Sequence, residues 1–422
     1  MIKVNKQRKL SFSFMAKLRG FISIFLSCVV CIQFSSLSGY AELLFSFNQG
    51  QEIRDLDDSD HLLSADGFFK LGFFHPGSSS PLGQSSNTYL GIWYGKLPNN
   101  PEAVWVANPN DPIIDSSGIF TLDFDGKLKI THKGDQPIVL NPNQQVSGNV
   151  TASLLNFGNF ELRELTANGS PGRVLWQSFD YPTNTLLPGM KLGMNLKTGQ
   201  NWTLSSWLSG QVPSPGAFRL GVDPGGVNQL VVWRREEVYW TSGEWRNGSF
   251  QNAPDLTRRA DLFEFSFVSN EEEKYFSYSV KSNSTHSRWE LNAWGQILQF
   301  ILATDGDSWE NATIASPCSL NVNYPEAVCI DQKPSKCRNS SEIFVPIRGF
   351  FRQINSINPD YSANLSLGDC HAACWNNCSC VAYESVHNNG TGCLFLSKAS
   401  DFVPNENFGY SYVLTSGTTI GK

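Results

Sequence analysis

The side chains best equipped for chemistry in this sequence are its cysteines. Ten occur: Cys28 and Cys31 stand in an N-terminal apolar run, and the other eight lie between Cys318 and Cys393. Cys370, Cys374 and Cys378 recur every four residues, so a helix would carry them on one face; Cys380 and Cys393 follow closely. An even, clustered set in a secreted chain forms a disulfide framework. Zinc is the rival for Cys318, Cys329 and Cys337, but these are widely spread with no histidine nearby. A thioredoxin-like redox pair is disfavoured because the cluster contains no C-x-x-C. Asparagine supplies the second chemistry. Ten Asn-x-Ser/Thr sequons, at Asn149, Asn168, Asn201, Asn247, Asn283, Asn311, Asn339, Asn364, Asn377 and Asn389, are acceptors for N-glycosylation on surface loops.

Catalysis asks for groups that the sequence does not bring together. His61, His75, His132, His286, His371 and His387 are scattered singly, and His371, within the cysteine helix, reads as a surface residue. There is no H-E-x-x-H, no G-x-S-x-G, and none of the Gly-rich loop, H-R-D or D-F-G of a kinase. The run 55–60 (DLDDSD) lacks the twelve-residue calcium-loop layout and reads as an exposed turn. No carboxylate pair for glycoside hydrolysis stands out among 38 acids. The expectation is therefore no catalytic residue, no metal and no cofactor.

The elements that must position these residues are short strands. At 422 residues, two to four domains are expected. Thirty-five Gly and 21 Pro, with 13% aromatic and only 17% charged residues, favour strands and tight turns over long helices. The first twenty residues hold six bases and no acid, and beyond them 26 bases face 38 acids, which disfavours a nucleic-acid partner. That basic start, the apolar run 21–34 and Gly39-Tyr40-Ala41 read as a secretory signal peptide over 1–41. The rival, a membrane anchor, would need roughly 20 apolar residues, and no other run reaches 18, so no membrane span is expected. Strand, Asp/Asn-Gly turn, strand recurs around Asp66-Gly67, Asp125-Gly126 and Phe157-Gly158-Asn159. Such repetition suits a β-prism of small sheets burying aromatics toward one axis. Between that half and the next β-patterned half runs VLWQSFDYPTNTLLPGMKLG (174–193), which reads as strand, turn, short buried segment, Pro188-Gly189 turn and strand, with large side chains suited to a seam.

These motifs carry a resemblance. The segment 174–193 resembles the WQSFDYPTDTLLPGMKLG stretch of plant S-locus glycoproteins and bulb-type (G-type) lectin S-receptor-like kinases, with Asn184 where that family usually has Asp. The stretches around Leu71-Gly72-Phe73-Phe74, Tyr89–Tyr94 and Val104–Asn108 resemble the bulb-type lectin domain, with Pro109 in place of the usual Arg. Tyr239-Trp240-Thr241-Ser242-Gly243-Glu244-Trp245 resembles the S-locus region, with Arg246 inserted before Asn247-Gly248. Finally, C-x3-C-x3-CSCVAY…GC (370–393) resembles a PAN/apple module.

The resemblance implies a mainly β chain of two tandem bulb-lectin-like β-prisms, a degenerate EGF-like cysteine linker and a small α+β PAN domain. The expected spans are a lectin domain over 42–165, an S-locus domain over 166–301, the linker over 302–348, PAN over 349–415 and a tail over 416–422. It implies Cys370–Cys393 and Cys374–Cys380; Cys378 would then reach upstream, to Cys337 if Cys318 takes Cys329, although three pairings of those four are open. Mannose-binding relatives carry Q-x-D-x-N-x-V-x-Y. Laid over 123–131 and 155–163, that motif keeps only Asp125 and Asn159, so these are vestigial sugar positions. The expected role is a secreted, non-catalytic recognition glycoprotein of the apoplast, similar to a receptor-kinase ectodomain of the pollen-recognition type. Its partners would be an extracellular peptide or carbohydrate, and a second copy or a related receptor kinase; exposed loops, including those from Trp233 to Trp245, would carry the contact. The alternatives are a mannose lectin, a truncated membrane receptor and an extracellular glycosidase.

Overall fold

The computed structural model describes residues 45–416 apart from 57–59, 78–84, 98–101, 135, 147, 283, 304–305, 307, 316–336, 340–341, 353–355 and 399–400. The signal segment and Cys318 and Cys329 lie outside the described residues. The chain is mainly β, and its first half forms three four-stranded antiparallel sheets. One pairs His61–Leu63, Phe69–Phe74, Tyr89–Tyr94 and Ala103–Val106; the second pairs Glu52–Arg54, Ile119–Leu122, Leu128–Thr131 and Ile138–Val139. The third sets Ser46–Asn48 beside Val150–Leu154, Phe160–Leu165 and Pro171–Gln177. Alternate residues of each, such as Leu71, Ile92, Phe120, Ile130, Phe160 and Leu162, are fully buried between the sheets.

The same arrangement recurs. Leu204–Ser209, Val212–Val222, Leu230–Arg234 and Glu237–Thr241 form one sheet, and Asn201–Trp202, Leu192–Asn195, Glu273–Val280 and Phe263–Ser269 another. Thr185–Leu186, Ser287–Leu291, Ile297–Leu302 and Trp309–Ala315 complete the second prism. One local device repeats in both halves. Loops 64–68, 123–127, 155–159, 223–227 and 292–296 each place at the fourth position a glycine with φ between 70° and 101°, a backbone shape that a side chain resists. A second device supplies an N–H at the start of the third strand in four of the six sheets of the prisms. The N–H groups of Leu90, Leu128, Phe160 and Leu230 donate to the side-chain oxygens of Asn108, Asn141, Ser178 and Ser242, each a residue just past the fourth strand.

These sheets divide the chain elsewhere than expected. Pro171–Gln177 pairs with Phe160–Leu165, so the first prism runs past 165. Trp309–Ala315 is the edge strand of the second prism, and Glu342–Phe351 is a strand of the C-terminal module, so both ends of the expected linker are structural. Polar residues disguise the first: Trp309-Glu310-Asn311-Ala312 needs only one apolar side, because an edge strand faces water.

The segment 174–193 joins the prisms. After Pro171–Gln177 come a 3-10 turn (Ser178–Asp180), Thr185–Leu186, the turn at Gly189, and Leu192–Asn195. Leu186, Leu187 and Met190 enter a single apolar core continuous through both prisms. Across the seam the Trp105 indole N–H donates to the Tyr181 carbonyl at 2.8 Å.

The C-terminal module sets helix α1 (Leu367–Asn376) against a five-stranded sheet. Ser366 and Asp369 form a reciprocal capping box at its start. The helix buries Cys370, Cys374 and Trp375 but ends at Asn376, so Cys378 lies in the exposed turn beyond it rather than on the same face. His371 is also buried, only 4% exposed, between Phe344, Trp375 and Tyr383, which overturns its reading as a surface residue. The sheet behind the helix decides its burial, and periodicity within ten residues does not reveal that sheet. Burial pushes the imidazole down to about 3, with the Arg234 charge adding to the effect.

Candidate functional site

A cleft of about 470 Å³ opens on the outer side of the sheet that ends with Trp309–Ala315. Strand alternation builds it. Trp289 and Leu291 point into the core, so Glu290 between them faces out; Trp207 is outward in Leu204–Ser209 for the same reason, and Asn311 lies exposed on the edge strand. Trp294 tops the loop 292–296. The Asn292 side chain accepts from the N–H groups of Trp294 (2.9 Å) and Gln296 (3.0 Å), which fixes the loop, and the Trp294 ring packs 5.0 Å from Tyr412 of the C-terminal module. Asn184 precedes Thr185–Leu186 and accepts from the Thr185 hydroxyl, while its amide NH2 donates to no described residue. Ser209, on the rim, donates to the Asn389 carbonyl of the C-terminal module. Sequence reasoning singled out Asn184 as a departure from its family but passed over Trp294; the shared x-x-x-Gly loop spacing was the available signal.

Beside the cleft sits a buried cation. Arg288, with 1% of its side chain exposed, places its guanidinium 4.1 Å from the Phe300 ring centroid, 5.0 Å from Trp309 and 5.5 Å from Tyr94 of the first prism. Nη2 donates to Glu102 at 2.5 Å across the prism boundary, while Glu290 stands 3.8 Å away. One cation thus serves two carboxylates. Burial pushes the Glu290 carboxyl up to about 7; Arg288 opposes the rise and Glu102 adds to it. Glu290 therefore carries a proton over much of the range below neutrality, although 24% of its side chain still meets the cleft. No Lys, Arg or His is among the lining residues, so the wall holds a single ionisable group among amides and indoles. A second cavity, about 270 Å³, lies between the prisms, where His286 stacks on Phe68 with centroids 3.6 Å apart. Among the described residues no three His, Cys, Asp or Glu side chains converge to hold a metal.

The residues expected from sequence are distributed as follows. Asp125 is exposed at a hairpin tip. Asn159 is 2% exposed: it donates to Glu161 and Gln177 and accepts from the Ser178 hydroxyl and the Phe179 N–H, so it cannot face a sugar. Disulfides join Cys337–Cys378, Cys370–Cys393 and Cys374–Cys380, with Cα separations of 5.6, 5.3 and 5.2 Å. Asn149, Asn168, Asn201, Asn247, Asn311, Asn339, Asn364 and Asn377 are exposed, Asn389 is half-buried, and Asn283 lies outside the described residues. The loops from Trp233 to Trp245 are partly engaged. Arg219 stacks on Trp233, Trp245 packs on Phe250 at 4.8 Å, and Arg235 forms an ion pair with Asp369 of α1 at 2.6 Å.

Parts of the chain match known families. Residues 102–208 match the D-mannose binding lectin family, 240–347 the S-locus glycoprotein domain and 337–403 the PAN-like domain. The chain is 35% identical over 381 residues to the G-type lectin S-receptor-like serine/threonine-protein kinase CES101 of Arabidopsis thaliana, covering 82% of this chain and 43% of that one. It is 29% identical over 402 residues to the S-locus-specific glycoprotein S6 of Brassica oleracea, covering 86% and 89%. A solved two-domain lectin from Scilla campanulata shares 12% identity over 71% of this chain and 92% of its own, with a TM-score of 0.21. The chain spans less than half the length of the curated kinases that it matches, and among the described residues no helix is long and apolar enough to cross a membrane. With lectin, S-locus and PAN-like domains in that order, the chain has S-locus glycoproteins and G-type lectin S-receptor-like kinases as its homologues.

Proposed function

We propose that this chain is an extracellular, non-catalytic recognition glycoprotein that holds a peptide or carbohydrate ligand on its β-prisms, as a free ectodomain or as the outer part of a receptor. The observation that carries the reading is the alignment of its domain order along 89% of the length of an S-locus-specific glycoprotein. A cleft walled by aromatic rings and planar amides supports it, since such walls orient a ligand by shape and directed hydrogen bonds. Pairing with a second copy or a related receptor kinase follows from the same family likeness.

The test incubates the purified, glycosylated full chain with apoplastic peptide and cell-wall oligosaccharide fractions and identifies by mass spectrometry what is retained and what is released. Stoichiometric retention of an unaltered ligand is the expected result. Release of shortened saccharide or peptide in amounts exceeding the protein would overturn the reading in favour of an enzyme.

A further inference from the structure

We infer that the cleft walled by Trp207, Trp294, Asn184 and Glu290 binds a neutral saccharide, at a place separate from the strand positions of the lectin motif. The inference deepens the recognition reading and rests on it. A pyranose has two kinds of surface, a C–H face and a rim of hydroxyls that both donate and accept. The cleft offers both counterparts. Two half-buried indoles line it, and the negative quadrupole of an indole face suits polarised C–H groups. Asn184 has an amide NH2 with no partner among the described residues, and the proton on Glu290 lets that carboxyl donate as well as accept.

Charge narrows the class. With no cation among the lining residues, a uronate or a sulfated sugar would find no counter-charge in the wall. Asn184 acts in the same sense: an aspartate there, as in the resembled stretch, would add a second acid to the cleft. The volume, about 470 Å³, falls within the range of roughly 300–1,000 Å³ typical of small-ligand sites. The wall is also set in advance, because Asn292 fixes the Trp294 loop, Tyr412 backs its ring and Ser209 is tied to Asn389. The Asn311 sequon lies in this wall, so an attached glycan would stand beside the entrance.

The test titrates the full chain, and the same chain carrying Asn311→Gln, with neutral gluco-, manno-, xylo- and galacto-oligosaccharides, an oligogalacturonide and a basic decapeptide. Tryptophan fluorescence and calorimetry report binding. A neutral oligosaccharide is expected to bind and to perturb the indoles; Asn184→Asp and Trp207→Ala should each weaken it by about tenfold, and Asp125→Ala should not. Thermal melting of each variant checks that it is folded, and Asn184→Asp is nearly isosteric. The inference is overturned if no neutral sugar binds either form, if binding survives both cleft substitutions, or if only the oligogalacturonide or the basic peptide responds. Recognition itself would still stand in the last two cases.

Discussion

Arg288 of the second prism donates to Glu102 of the first at 2.5 Å, although the two are 186 residues apart in sequence. The guanidinium is buried while Glu102 is half-exposed, and the inner acid, Glu290, keeps its proton to about 7 because burial disfavours its charged form. A carboxyl whose value is raised in the folded state stabilises the fold fully below its unfolded value of about 4.5, and this contribution is lost as pH climbs through 7. The chain should therefore lose about 2–3 kcal/mol from this group between those limits. Glu290→Gln should flatten that part of the urea-midpoint profile. Glu102→Gln should move the Glu290 midpoint downward, because Arg288 then turns its whole charge on Glu290. Carbon-13 titration of the glutamate carboxyls would read both effects, and an unmoved Glu290 midpoint would refute the coupling.

His371 acts in the opposite sense. Its folded value is depressed to about 3, so the neutral ring contributes stability above its unfolded value of 6.5, and this is lost as pH falls. Burial without a hydrogen-bond partner for Nδ1 makes the charged ring costly, by roughly 3–5 kcal/mol at full protonation. His371→Phe keeps the packing among Phe344, Trp375 and Tyr383 and should abolish acid destabilisation of the C-terminal module. Hydrogen exchange of α1 amides at about pH 4.5 and 7 would separate this from the Glu290 effect; equal acid lability of both forms would refute it.

The strands were legible where the cause is local. Asp-Gly and Asn-Gly turns announce hairpins because glycine alone accepts the loop's left-handed position, and 174–193 announced its seam by its breakers. What escaped depends on distant partners. Ser287–Leu291 is a strand, yet nothing near Arg288 in the sequence shows that Tyr94, Glu102 and Trp309 close over it. Asn159 looked like a relic of a sugar site because residue type alone cannot tell an amide aimed at solvent from one aimed at Gln177 and Ser178. Lys274, which directly follows three glutamates in sequence, is 6% exposed because its ammonium donates to the carbonyls of Asp223 and Val227. The cleft combines residues from four separated stretches, of which the sequence singled out only Asn184 and the sequon at Asn311.

Asn159 and Asp125 should consequently respond in different ways. Asn159→Asp removes two donors and sets a second carboxylate beside buried Glu161, which should cost about 2–4 kcal/mol. Asp125→Ala, at an exposed tip, should stay within about 0.5 kcal/mol of the native chain. Chemical denaturation of both variants tests this. Equal sensitivity would mean that Asn159 is no more than another loop residue.

The three bridges should differ in what they contribute and in how readily they open. Loop closure favours the longest span: about 4 kcal/mol for Cys337–Cys378 at a separation of 41, about 3 for Cys370–Cys393 at 23, and about 2 for Cys374–Cys380 at 6. Access ranks them in a way that compounds this. Cys337 and Cys378 are exposed, whereas the other four sulfurs sit in residues no more than 1% exposed. A thiolate must reach a sulfur to exchange with it, so mild reductant should open Cys337–Cys378 first. That bridge anchors the segment whose Arg338 donates to the carbonyls of Cys374, Asn377 and Cys380 at the end of α1. Its opening should loosen the turn after the helix while the other two bridges stay closed. Differential alkylation followed by peptide mapping would show labelled Cys337 and Cys378 ahead of the rest; simultaneous labelling of all six would contradict the ordering.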